Sequence, residues 1–142
     1  MPPDKLGAYL RDFEKLMRGH GIDGLAYGHF GDGCVHARID FELTGETGRA
    51  GFRAFTEQAA DLVASFGGSM SGEHGDGLVR SCFNEKIFGA QLYGAFRELK
   101  QTFDPNKLMN PGKIVDAQPM TANLRYGPQY QAHEIPTKFN YA

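Results

Sequence analysis

The apolar positions along the chain recur with two different periods. In residues 4–18, Leu6, Leu10, Phe13 and Met17 are spaced by four, three and four, which puts them on one face of an amphipathic helix. Gly19-His20-Gly21 ends that helix. Residues 24–30 and 34–43 read as two strands around a turn at Gly31-Asp32-Gly33, where Asp-Gly is a strong hairpin signal. In the second strand Val35, Ala37, Ile39, Phe41 and Leu43 alternate with His36, Arg38, Asp40 and Glu42. Residues 47–66 return to helical spacing, with Phe52, Phe55, Ala59, Leu62 and Phe66 as the buried stripe. The glycine-rich stretch 67–80 is expected to hold a short strand and then a loop. A third helix over 84–103 carries Leu92, Phe96, Leu99 and Phe103, again read as core, and Asp104-Pro105 stops it. Asn110-Pro111-Gly112-Lys113 is a turn before the apolar pair Ile114-Val115, and from Gln118 onward periodicity gives way to prolines and polar residues.

The order α-β-β-α-β predicts an α+β domain. It matches a ferredoxin-like antiparallel sheet with helices on one face, lacking its first strand. A sheet short of one strand exposes an unpaired edge. The chain is therefore expected to be part of a larger polypeptide, with residues 1–116 as one folded unit and 117–142 as an extended linker or tail.

Composition narrows the class. Of 142 residues, 41% are hydrophobic and 23% charged, ordinary globular usage. Fifteen basic against 17 acidic residues leave a formal charge of −2, which offers no positive field for nucleic acid. No apolar run approaches the roughly 20 residues of a membrane helix, and no signal-peptide pattern opens the chain. Two cysteines, Cys34 and Cys82, are too few for a disulfide framework, so a cytoplasmic setting is expected. Glycine supplies 19 residues, and they are bunched.

Two of those bunches carry chemistry. In Gly28-His29-Phe30-Gly31-Asp32-Gly33-Cys34-Val35-His36, one histidine lies on each arm of a tight hairpin, and both can converge on one ion. Gly31 and Gly33 permit the turn. In Ser71-Gly72-Glu73-His74-Gly75-Asp76-Gly77, a carboxylate and an imidazole sit side by side in a loop. His29, His36 and Glu73 would make three metal ligands with positions left open, and His74 would be free for proton transfer. The spacing is equally consistent with a polar hairpin and a solvated turn. His20 suits a helix C-terminus and needs no further role, and Cys82 reads as a small buried residue.

These motifs, followed by Phe103-Asp104-Pro105-Asn106-Lys107 and Asn110-Pro111-Gly112-Lys113, resemble the C-terminal cap domain of FAD-linked oxidases. These are vanillyl-alcohol-oxidase-like flavoproteins that include D-lactate, D-2-hydroxyglutarate and glycolate dehydrogenases. The resemblance runs from about residue 4 to residue 116. It implies a part of a FAD-dependent 2-hydroxyacid dehydrogenase, with FAD held mainly by another domain of the same polypeptide. It implies that His29, His36 and Glu73 hold a divalent ion, often zinc, that orients the 2-hydroxy acid. It implies that His74 takes the hydroxyl proton, and that Asn110, with Lys113 nearby, faces the flavin. The tail, with Asn123-Leu124-Arg125-Tyr126-Gly127-Pro128, resembles members in which an iron–sulfur domain follows and accepts the electrons, which allows peripheral membrane association.

Two positions depart from the family pattern. Cys34 stands where Asn is common, and a thiol cannot replace an amide's hydrogen bonds; packing is its expected role. Arg38 also stands where Asn is common. By strand alternation it shares the face of His36, where it could clamp a second substrate carboxylate or pair with Asp40 or Glu42. The alternatives to a dehydrogenase cap are a small metal-dependent hydrolase and an interaction module with a degenerate site.

Overall fold

The computed structural model describes residues 1–127 together with 130, 131, 133, 136 and 138. Most of the expected tail beyond Gly127 lies outside the described residues.

The elements are α1 (Leu6–Gly19), β1 (Gly24–His29), β2 (Cys34–Ile39), α2 (Glu46–Ser65), α3 (Gly77–Arg80) and α4 (Asn84–Phe103). The fold is α+β, and its sheet is a two-stranded antiparallel hairpin. The register pairs Gly24 with Ile39, Tyr27 with His36 and His29 with Cys34. The expected short strand within 67–80 does not form; those residues are bends, followed by the single turn α3. β2 also ends at Ile39, before the alternation does.

Helix α2 is the centre of the molecule, and it buries more than one stripe. Phe55 and Ala59 join Phe13 of α1 in one cluster, flanked by Tyr9, Leu16, Met17, Ile39 and Phe41. Phe55 meets Phe13 edge to face, with ring centroids 5.9 Å apart. A second cluster forms on another side of α2, from Ala60, Phe83 and Met120. Thr56, Ala60 and Val63 are therefore buried beside the expected Phe55 and Ala59. The tail begins by packing on this second cluster, since Met120 is only 5% exposed.

The third helix departs from expectation twice. Gly89 adopts φ 79°, ψ 159° and breaks the helix there. Its apolar stripe is not core: Leu92, Leu99 and Phe103 are exposed, as is Phe88. Within α4 only Asn84 is buried. Cys82, expected inside, is exposed as well, and its thiol donates to the Val79 carbonyl at 3.1 Å.

Polar side chains anchor the segment after α4. Buried Ser81 accepts the Ile114 N–H at 2.9 Å, and Asn84 donates to the Ile114 carbonyl at 3.0 Å. Asp104 pairs with Lys100 at 2.5 Å and accepts the N–H groups of Leu108 and Met109. The Phe-Asp-Pro motif thus folds the chain back toward α4. Lys107, Asn110, Ile114 and Asp116 in this segment all have positive φ, which an L-residue adopts only at a cost.

Candidate functional site

Strand pairing sets the first wall of the site. Paired residues of an antiparallel ladder share a face, so Leu25, Tyr27 and His29 stand with Arg38, His36 and Cys34. The opposite face carries Ala26, Ala37 and Ile39, and Ile39 packs on the α1–α2 cluster. The histidine face therefore looks away from that cluster, and β1 is exposed along its whole length.

Two glycines make this wall possible. Gly28 has φ 139°, and a Cβ there would lie 2.7 Å from the Cys34 carbonyl oxygen and 3.1 Å from the His36 ring. His36 can reach its position only over a residue without a side chain. Gly33 closes the turn in the left-handed region at φ 70°. Gly31, expected to share that task, has no positive φ.

The second wall is the loop that follows α2. Ser71 Oγ and Arg80 both donate to the Gly75 carbonyl, each at 2.8 Å. Asn84 Nδ2 donates to the Asp76 carboxylate at 3.1 Å. These bonds hold the loop so that Glu73 projects against the hairpin.

Glu73 is the meeting point of three imidazoles. Its Oε2 lies 3.0 Å from His36 Nε2 and 3.9 Å from His74 Nε2, and its Oε1 lies 3.6 Å from His29 Nε2. The His36 ring stacks on Tyr27, with centroids 5.0 Å apart and planes 16° apart. The His74 ring centroid is 4.9 Å from that of His36. His36 is the sheltered histidine, with a side chain 23% exposed against 67% for both His29 and His74. Sequence reasoning named all four groups, and the fold brings them together.

Cys34 packs against the glycine-rich loop: a Cβ on Gly72 would lie 3.1 Å from its Sγ. It is half-buried, and its Sγ, a His36 nitrogen and a Glu73 oxygen all lie within 4.8 Å of one another. Burial, followed by the charge of Glu73 and a hydrogen bond to it, pushes the thiol above its ordinary value. Among the described residues this is the one such cluster of three potential metal ligands, and His29 stands outside it.

A cavity of about 460 Å³ opens beside these groups and reaches back to α2. His36, Glu73 and His74 line it, together with Arg38 and Arg80. Arg38 has no ion-pair partner among the described residues; neither Asp40 nor Glu42 takes it. Arg80 went unnoticed in the sequence. It lies six residues past His74, and only the fold-back of the loop turns it inward; its Nε is buried without a partner among the described residues. Tyr27 was also missed, although the hairpin register places it opposite His36. Asn110 and Lys113 do not line this cavity. They lie on the segment anchored by Ser81 and Asn84, where Lys113 Nζ donates to the Pro111 carbonyl at 3.4 Å.

Comparison with known proteins gives the arrangement a context. The profile of the family described as FAD linked oxidases, C-terminal domain, matches residues 1–114. The chain is 36% identical to the D-2-hydroxyglutarate dehydrogenase of Haemophilus influenzae over 114 residues, covering 80% of this chain and 11% of that protein. It is 37% identical to the D-lactate dehydrogenase of Archaeoglobus fulgidus over 115 residues, or 81% of this chain and 25% of that protein. Against the Escherichia coli D-2-hydroxyglutarate dehydrogenase the identity is 30% over 124 residues, or 87% of this chain and 12% of that protein. The chain thus spans between about a tenth and a quarter of the length of these relatives.

Proposed function

Because the chain belongs to the family of FAD-linked oxidase C-terminal domains, we propose that it supplies the proton-transfer and metal-holding wall of a FAD-dependent 2-hydroxyacid dehydrogenase. The observation that carries this reading is Glu73 standing between His36, His29 and His74. Its relatives are dehydrogenases of D-2-hydroxyglutarate and D-lactate. That favours this reading over a small metal-dependent hydrolase or a module with a degenerate site.

The donor set suits a divalent ion such as zinc: neutral imidazoles and a carboxylate converge from two walls, with the cavity on the open side. His36, Glu73 and His29 would hold it. A bound ion would supply a Lewis acid that lowers the hydroxyl pKa of the substrate. His74, which lines the cavity, is the group that accepts the hydroxyl proton of the substrate, and a bound flavin would supply the acceptor for the hydride. His36, stacked on Tyr27, keeps a fixed ring plane. Arg38, without an ion-pair partner among the described residues, offers a fork for a second carboxylate, which favours a dicarboxylic 2-hydroxy acid. Asn110 and Lys113 would contribute to holding the flavin, which another domain of the same polypeptide would bind. Residues 1–116 would form the cap unit and 117–142 its linker, and a following iron–sulfur domain would be the electron acceptor. No helix among the described residues is long and apolar enough to cross a membrane, and we place the protein in the cytoplasm.

The decisive experiment is single-turnover reduction of the bound flavin in the complete polypeptide. His74→Asn should leave the flavin content unchanged and slow reduction by D-2-hydroxyglutarate about 10²–10⁴-fold. An unchanged rate removes His74 from proton transfer.

A further inference from the structure

The metal reading above rests on His29, His36 and Glu73, but the tightest cluster of donor atoms contains a different residue. Cys34, His36 and Glu73 each present one ligand atom, and the three lie within 4.8 Å of one another. A tetrahedral zinc ion with one sulfur and two nitrogen or oxygen ligands separates those atoms by roughly 3.5 Å. The His36–Glu73 separation is already 3.0 Å.

The backbone directs the thiol into this cluster. Cys34 and His36 are two residues apart on β2, so both project from one face of the hairpin. Opposite them the Glu73 loop passes so close that a Cβ on Gly72 would lie 3.1 Å from Cys34 Sγ. Any larger residue at 72 would push the sulfur aside. His29, by contrast, is 67% exposed and reaches only the other oxygen of Glu73, at 3.6 Å.

We propose that Cys34 is a thiolate ligand of the metal site, a fourth protein group beside His29, His36 and Glu73. This deepens the reading given above and depends on it. Two chemical consequences follow. A thiolate and a carboxylate together neutralise a divalent ion, whereas two imidazoles and one carboxylate leave it with one positive charge. A sulfur ligand also selects zinc over magnesium or manganese, which prefer oxygen.

The test is zinc-edge X-ray absorption on the complete polypeptide loaded with one equivalent of zinc, a readout independent of turnover. The wild type should show a sulfur shell at about 2.3 Å beside the nitrogen and oxygen shell near 2.0 Å. Cys34→Ser should lose the sulfur shell, and His29→Ala should keep it. Zinc bound through nitrogen and oxygen alone in the wild type overturns the thiolate proposal and leaves the His29–His36–Glu73 reading standing. A sulfur shell that survives in Cys34→Ser also overturns it, because the sulfur then comes from elsewhere in the polypeptide. Failure to bind zinc at all overturns both readings.

Discussion

Helices α2 and α4 have the same length, 20 residues each, and both carry apolar side chains at helical spacing. Their fates differ. α2 buries Phe55, Thr56, Ala59, Ala60 and Val63 between two clusters. α4 buries only Asn84 and leaves Phe88, Leu92, Leu99 and Phe103 exposed, the last at 73%. α2 is fixed by apolar area removed from water. The region around α4 is fixed by a few polar side chains, Ser81, Asn84 and Asp104, each bonded to backbone or to a partner far along the chain. Periodicity thus marks an apolar face, but whether anything in the same chain covers that face is a separate matter.

The contrast can be broken from either side. Phe55→Ala empties the centre of the first cluster and should cost about 3–5 kcal/mol, read from the shift in the urea midpoint. A loss well under 2 kcal/mol would mean that α2 is not the main support. Ser81→Ala removes the buried hydroxyl that accepts the Ile114 N–H and should cost about 0.5–1.5 kcal/mol. Hydrogen exchange at Ile114 should rise in that variant while exchange in α1 stays as it was. If both regions loosen together, the polar anchors also support the apolar core.

Acid sharpens the comparison further. The Lys100 ammonium, helped by the N–H groups of Met109 and Leu108, holds the Asp104 carboxyl down to about 2, against an ordinary value of 3.8. A carboxyl depressed in the folded state stabilises it fully above its unfolded value. That contribution fades as pH falls from about 3.8 through about 2. The segment after α4 should therefore loosen in this window, and Asp104→Asn should flatten the pH dependence of its exchange there. The smallest effect belongs to the uncovered face. Leu92→Ser with Leu99→Ser should change the stability of this chain by no more than about 0.5 kcal/mol. A larger loss would show that this chain itself covers α4.

Much of this was legible in the sequence because it depends on local periods. The boundaries of α1 and α2 and the hairpin around Gly31-Asp32-Gly33 all came from spacing and turn residues. So did the grouping of His36 with Arg38 on one face, which two-residue alternation requires. Glu73 and the three histidines around it were legible too, because His29, His36, Glu73 and His74 stand in two short glycine-rich stretches. Their proximity was not derivable from spacing, since 37 residues separate His36 from Glu73.

What tertiary structure alone decided concerns contacts between distant segments. The sulfur of Cys34 faces Glu73 because the loop at Gly72 crosses over it. Arg80 turns inward because Ser71 and Arg80 share the Gly75 carbonyl. The stretch expected to extend the sheet stays irregular, tied by Asn84 to Asp76 instead of by a ladder. The physical reason is common to all three. Local sequence sets backbone preference and the side of an element that is apolar. The partner that each side chain meets is chosen only when the remote segments pack.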